Sequence, residues 1–189
     1  PLNDNFAALN DDIVNVPHGI YRNAIINGNF DIAQRGTSFA NPNNIYTLDR
    51  WSAGSTGDVT SLTITHSQQA QTPGDLPGSY YFYRVNTNGT GTGYTATTEY
   101  AILQRIENGT RYLCGAGKKI TLSFYARSSI AGKRLGVSLG QRYGTGGSPS
   151  ANEVLIGQIF TLTSTWTKYT FTFATNALAG KVFGSNNDD

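Results

Sequence analysis

The residues of this chain best suited to bond-making chemistry are few: two His, three Glu and a single Cys. His18, His66 and Cys114 show no metal-ligand spacing among themselves, and zinc sites draw on closely spaced ligand pairs. Glycoside hydrolysis needs two carboxyl groups facing one bond. Glu99 with Glu107, or Glu99 with Asp49, is the pair on offer, but surface solvation and loop hydrogen bonding account for these carboxylates better. "GTGTG" at 89–93 and "GTGGS" at 144–148 share only composition with phosphate-cradling loops. Neither leads into Lys-Ser/Thr and a helix, so both read as hairpin loops. The expectation is a chain that is not an enzyme.

Binding chemistry is better supplied. A glycan presents apolar C–H faces and many hydroxyls, so a site for one sets aromatic rings beside Arg, Gln, Asn and Asp on a rigid frame. In "KITLSFYAR" at 119–127, Tyr125 and Arg127 share the parity opposite to Ile120, Leu122, Phe124 and Ala126. Arg142 has the non-core parity of its own strand, and Gln141 and Tyr143 fall at the rim of the loop after it. Tyr81 and Tyr83 stand in the aromatic run 80–83. These seven residues are the candidate glycan contacts. The chain holds 11 Tyr, so packing in the fold is the competing reading for any one ring. Asp49-Arg50-Trp51 reads as structural, with Trp51 anchoring the core and its neighbours pairing to nearby strands or loops.

Such side chains need a frame, and the bulk composition bounds it. At 189 residues one ordinary domain is expected. Charged residues are 14% and the formal net charge is +2. No stretch concentrates enough Lys and Arg to neutralise many phosphates, so nucleic acid is not an expected partner. No apolar run approaches the roughly 20 residues of a membrane span, and membrane insertion is not expected. The lone Cys114 excludes an intrachain disulfide and reads as a small buried hydrophobe. The chain begins at Pro1 without Met and shows no signal peptide, which fits a trimmed initiator or a fragment.

Beyond Gly19 the texture is that of strands. Runs such as 59–65, 79–85, 100–106, 119–127, 135–139, 160–163 and 167–173 alternate apolar residues with Thr, Ser and Tyr. Clusters of Gly, Asn and Pro at 72–78, 86–93 and 144–150 separate them. Many strands with one apolar face each predict an all-β, antiparallel two-sheet sandwich. At 23–33 two strand pieces, 23–26 and 30–33, are expected to flank a turn or bulge at Asn27-Gly28. Residues 1–18 differ: Leu2, Phe6, Leu9, Ile13 and Val16 recur at the 4-3-4-3 spacing of a coiled-coil seam. This predicts a short amphipathic α-helix ended by Pro17, for oligomerisation or attachment. An isolated helix of about two heptads is marginal in water, so it must pack on its own domain, a neighbour or copies of itself. A homotrimer is the expected assembly.

Several motifs occur in a telling order. "IINGNFDIAQRGTSF" begins at Ile25 and "YTLDRWSAG" at Tyr46. "LQRIENG" begins at Leu103, "KKITLSFYARSS" at Lys118 and "LGQRYGTGGSPSANE" at Leu139, followed by "WTKYTFTF" and "AGKVFGSNNDD". Over roughly residues 21–189 this resembles the carbohydrate-binding-module-like jelly roll of bacteriophage tail fibres and tail-associated proteins. "NDNFAALNDDI" resembles the helical segments that precede such domains. The resemblance implies a jelly-roll domain at 21–189, a place in the virion tail, and a part in host-surface recognition. Its implied partners are a bacterial surface glycan and other virion tail proteins. It further implies closing strands beyond Asp189. No cofactor is implied, although Asp31 with loop carbonyls could hold a structural Ca²⁺, which favours several oxygen ligands. A purely structural virion part docking to tail or capsid neighbours, and an ancillary module of a glycan-degrading enzyme, are the alternatives.

Overall fold

The computed structural model describes residues 23–56, 63–88 and 98–189. The expected helix of Leu2, Phe6, Leu9, Ile13 and Val16 lies outside them. Alternating apolar and hydroxylated residues favour extended chain that buries one face, and the described residues form ten strands and one short helix. The strands are β1 (Ser38–Ala40), β2 (Ile45–Tyr46), β3 (Trp51–Thr56), β4 (Thr63–Ala70) and β5 (Tyr81–Asn88). After β6 (Glu99–Gln104) comes the helix α1 (Gly109–Leu113), then β7 (Lys119–Ala126), β8 (Arg134–Gln141), β9 (Glu153–Thr161) and β10 (Thr167–Ala174). Every strand pair is antiparallel, and the fold is an all-β sandwich.

The strands join in four ladders, β1-β4-β5, β2-β3-β6, β7-β10 and β8-β9. The pairing is nested. β3 meets β6 across the hairpin β4-β5, and β7 meets β10 across the hairpin β8-β9. The loops 71–80 and 142–152, rich in Gly and Pro, close those two hairpins as their composition predicts.

Aromatic rings tie the ladders together. Phe124 of β7, Phe160 of β9 and Tyr169 of β10 meet at centroid distances of 5.1 to 5.8 Å. Phe30, Trp51 and Tyr83 form a second cluster over β3 and β5. Phe82 of β5 meets Trp166, just ahead of β10, edge-on at 5.2 Å. Of these rings Phe160 is buried and the others are half-buried, so each contributes up to the roughly 1.5–3 kcal/mol of a fully buried apolar side chain. The predicted parity of β7 holds, since Ile120, Leu122, Phe124 and Ala126 are the half-buried set.

The segment 23–33 corrects the interrupted-strand expectation, because neither piece is a strand. Asn27 and Phe30 take left-handed backbone, φ 53° and 60°. The Asn27 side chain then replaces a ladder. Its Nδ2 donates to the carbonyls of Ile32 and Asp49, and its Oδ1 accepts from the Ile32 amide. Trp51 Nε1 donates to the Asn27 carbonyl at 3.0 Å, so Trp51 anchors this loop, half-buried rather than buried. Asp49 and Arg50 serve structure as read: Asp49 accepts from Arg35 and the Gln34 amide, and Arg50 pairs with Glu107.

Candidate functional site

Cross-strand partners share a sheet face. The register of β7 with β10 sets Tyr125 opposite Lys168 and Ala126 opposite Thr167. One step further, Trp166 stands opposite Arg127, and the guanidinium lies 5.1 Å from the indole centroid. The turn from β9 into β10 is fixed by hydroxyls, with Thr163 Oγ1 bonding to Thr167 Oγ1 and donating to the Thr165 carbonyl. It brings Ser164 and Thr165 beside the indole, and the β4-β5 loop brings Asp75. Together Asp75, Arg127, Ser164, Thr165 and Trp166 line an open recess of about 290 Å³. Among the described residues Asp75 and Arg127 make no ion pair, so an acceptor and a five-donor fork face the recess uncommitted. Trp166 Nε1 is buried without a hydrogen-bond partner.

Two of the seven predicted contacts belong here. Arg127 lines the recess, and Tyr125, 47% exposed, lies beside it on the same face. Tyr81 is exposed on β5 and does not line the recess. Tyr83 turns inward: its hydroxyl lies 2.7 Å from Thr47 Oγ1 and 2.8 Å from His66 Nδ1. Burial pushes its phenol up to about 12, against the opposing pull of the Thr47 bond. Arg142 is exposed, with its backbone amide donating to Thr110 Oγ1.

Gln141 and Tyr143 correct the expectation. Both have 0% exposure and neither can touch a ligand at the surface. Gln141 Oε1 accepts from the Asn176 amide at 2.7 Å, which places this group beyond the far end of β10. An eight-residue strand at about 3.4 Å per residue separates it from Trp166 by roughly 27 Å. What the group does is structural. Glu153 accepts from Lys181, from Asn176 Nδ2 and from the Tyr143 hydroxyl. Led by the Lys181 bond, these hold its carboxyl down to about 2. The Tyr143 phenol is pushed up by burial and by Glu153.

Trp166, Asp75, Ser164, Thr165 and Lys168 escaped the sequence reading. Only the β7-β10 register reveals Trp166 beside Arg127, and no local pattern announces which strands pair.

Other candidates hold less chemistry. A larger recess of about 540 Å³ is lined by Asn23, Ala24, Ile106, Glu107, Gly109, Tyr112 and Leu113. It is mostly apolar and brings few donors and acceptors together. Glu107 is engaged by Arg50, and Glu99 sits at the opposite end of β6. Burial pushes the Cys114 thiol up, away from the reactive thiolate. Asp31 is exposed, and among the described residues no group of three or more His, Cys, Asp or Glu is arranged to hold a metal ion. No helix among them is long and apolar enough to cross a membrane.

Compared with known proteins, the chain matches no family model, no curated protein and no solved structure.

Proposed function

We propose that this chain is a glycan-recognition module of a bacteriophage tail, binding a bacterial surface saccharide at the Arg127–Trp166 recess. One observation carries the reading: an indole, a guanidinium, a carboxylate and two hydroxyl residues converge on one open recess. The ring offers a surface for sugar C–H groups, Arg127 donates to sugar oxygens and Asp75 accepts from sugar hydroxyls. Binding so built involves no bond making, which suits a module rather than an enzyme. The ordered tail-fibre motifs support the virion setting. The nested pairing, first with fourth and second with third in each set of four strands, suits a jelly roll, which is assembled from two Greek keys. A seam of Leu2, Phe6, Leu9, Ile13 and Val16 would gather copies into a trimer. Linked sites can raise avidity by about 10² to 10⁴ over one site.

The test is a glycan array probed with the full chain, with Trp166→Ala and with Arg127→Ala. Binding to bacterial surface saccharides is expected, weakened at least tenfold in both variants while the thermal transition of R127A stays within a few degrees. Silence across the array, or binding indifferent to both substitutions, defeats the reading.

A second reading is a structural virion part, and one observation favours it. Val154, Ile156 and Ile159 of β9 stand exposed opposite Gly140, Ser138 and Gly136 of β8. An apolar ridge over a bare strand suits a protein neighbour.

A further inference from the structure

We infer that the ligand is a linear, carboxylated polysaccharide lying along the outward face of β7 and β10, with the recess holding one sugar of the chain. This rests on the glycan reading above and names the substrate class.

The outward face consists of Lys119, Thr121, Ser123, Tyr125 and Arg127 from β7, and of Trp166, Lys168, Thr170, Thr172 and Ala174 from β10. All but Trp166 are exposed. The face carries three cations, Lys119, Arg127 and Lys168, and no carboxylate. Among the described residues none of the three enters an ion pair. Asp75 lines the recess and lies outside the face.

The middle of the face is low and hydroxylated. Thr121 and Thr172 bond hydroxyl to hydroxyl at 2.9 Å, and Ser123 and Thr170 stand between that pair and Tyr125. Short side chains therefore form a floor, bounded by Tyr125 and Trp166 at one end and by Lys119 at the other. From Lys119 to Tyr125, six strand steps, this floor extends roughly 20 Å, too long for one sugar and suited to several in a row. A solvated outer sheet face also explains Thr and Ser. It does not explain a set of cations of one sign continuous with an aromatic recess.

Charge spacing selects the polymer. Three cations over about 27 Å suit the sparse carboxylates of a glycan better than a nucleic acid strand, which carries about eight phosphates in that length at 3.4 Å each. The guanidinium of Arg127, 5.1 Å from the indole centroid, supplies a planar N–H fork that suits a bidentate carboxylate.

The experiment titrates the full chain with defined oligomers of hyaluronate, in which a uronic acid alternates with a neutral sugar. The same oligomers after carboxyl reduction, neutral dextran and oligo-deoxythymidine serve as comparisons. Binding of a carboxylated oligomer is expected to strengthen at least tenfold from one sugar to six. It should fall at least tenfold on carboxyl reduction and weaken as salt rises from 50 to 300 mM. Lys119→Gln and Thr172→Glu, both remote from the recess, should each weaken the long oligomer severalfold and leave the monosaccharide unchanged. Equal binding of reduced and carboxylated chains overturns the inference while leaving glycan recognition in place. So does a monosaccharide that binds as tightly as the hexamer, or DNA that binds as tightly as the uronate. Failure of every saccharide, reduced and neutral ones included, overturns the inference and the glycan reading together.

Discussion

His66, Tyr83 and Thr47 show how one hydroxyl can satisfy two buried groups. The Tyr83 oxygen lies within 2.8 Å of both Thr47 Oγ1 and His66 Nδ1, and an edge-on contact of 5.6 Å aligns the two rings. Burial holds His66 below its ordinary 6.5, so the fold keeps the imidazole neutral where the unfolded chain would protonate it. A depressed histidine of this kind contributes its full stability above pH 6.5 and loses it as pH falls through the folded value. Glu153 sets a separate, lower step. Its carboxyl stays ionised in the fold down to about 2, against 4.5 for the free group, so its contribution is full above 4.5 and drains toward 2. Melting temperature followed from pH 8 to pH 2 should therefore fall in two steps. His66→Asn, whose amide can still meet the Tyr83 hydroxyl, should flatten the upper step alone. Glu153→Gln should shrink the lower step, to which Asp188, held down by its bonds from Thr145, also contributes, and should leave the upper step unchanged. A profile in which neither variant alters its own step defeats this account. The residue scale is also where the sequence was least legible. Gln141 and Tyr143 look like a polar loop rim, yet the C-terminal segment folds over them through Asn176 and Lys181. That cover comes from residues more than thirty positions away.

At the scale of the element, legibility follows length. β7 and β10 repeat their alternation over eight residues each, and their buried faces are the ones the pattern predicts. β1 and β2 span three and two residues, too short for any period to emerge, and the five-residue α1 carries no helical stripe. The segment 23–33 misleads for a different reason. Its apolar residues suggest strand, but the Asn27 side chain makes the bonds that a neighbouring strand would have made. One irregularity in a long element is informative. In β9, Gly157 and Gln158 stand against the single residue Val137, a bulge between Gly136–Ile159 and Ser138–Ile156. A Cβ on Gly157 would lie 2.6 Å from the Val137 carbonyl oxygen and 2.8 Å from the Phe173 ring. Glycine is thus what lets β9 close onto β10 at the bulge. Gly157→Ala should cost about 1–3 kcal/mol, the range for overpacking a filled site, read from denaturant unfolding. Unchanged stability would mean that the bulge tolerates a side chain and that the close approach is incidental.

For the molecule as a whole, the outer faces of the ladders differ, and the proposed recognition and the proposed assembly would use different faces. The β7-β10 face is hydroxylated and cationic, whereas the β8-β9 face bears Val154, Ile156 and Ile159 over Gly and Ser. Ile156 is 89% exposed, so it contributes almost nothing to the buried core, and replacing it tests contacts outside the chain alone. Scattered surface hydrophobes are ordinary, but three along one strand form a contiguous ridge, and such ridges mark protein contacts. Ile156→Lys should leave the thermal transition within about a degree, because an exposed side chain loses no burial on substitution. If the ridge meets another copy or a tail neighbour, the same substitution should lower self-association in sedimentation, or weaken co-assembly with other tail proteins. Saccharide affinity at Arg127 and Trp166 should stay as it was, because the ridge and the recess lie on different ladders. An I156K protein that assembles normally would remove the ridge as an interface and weaken the structural reading. One that loses both assembly and saccharide binding would show that the two faces are coupled through copies of the chain, the result expected if avidity at the recess depends on contacts made at β9.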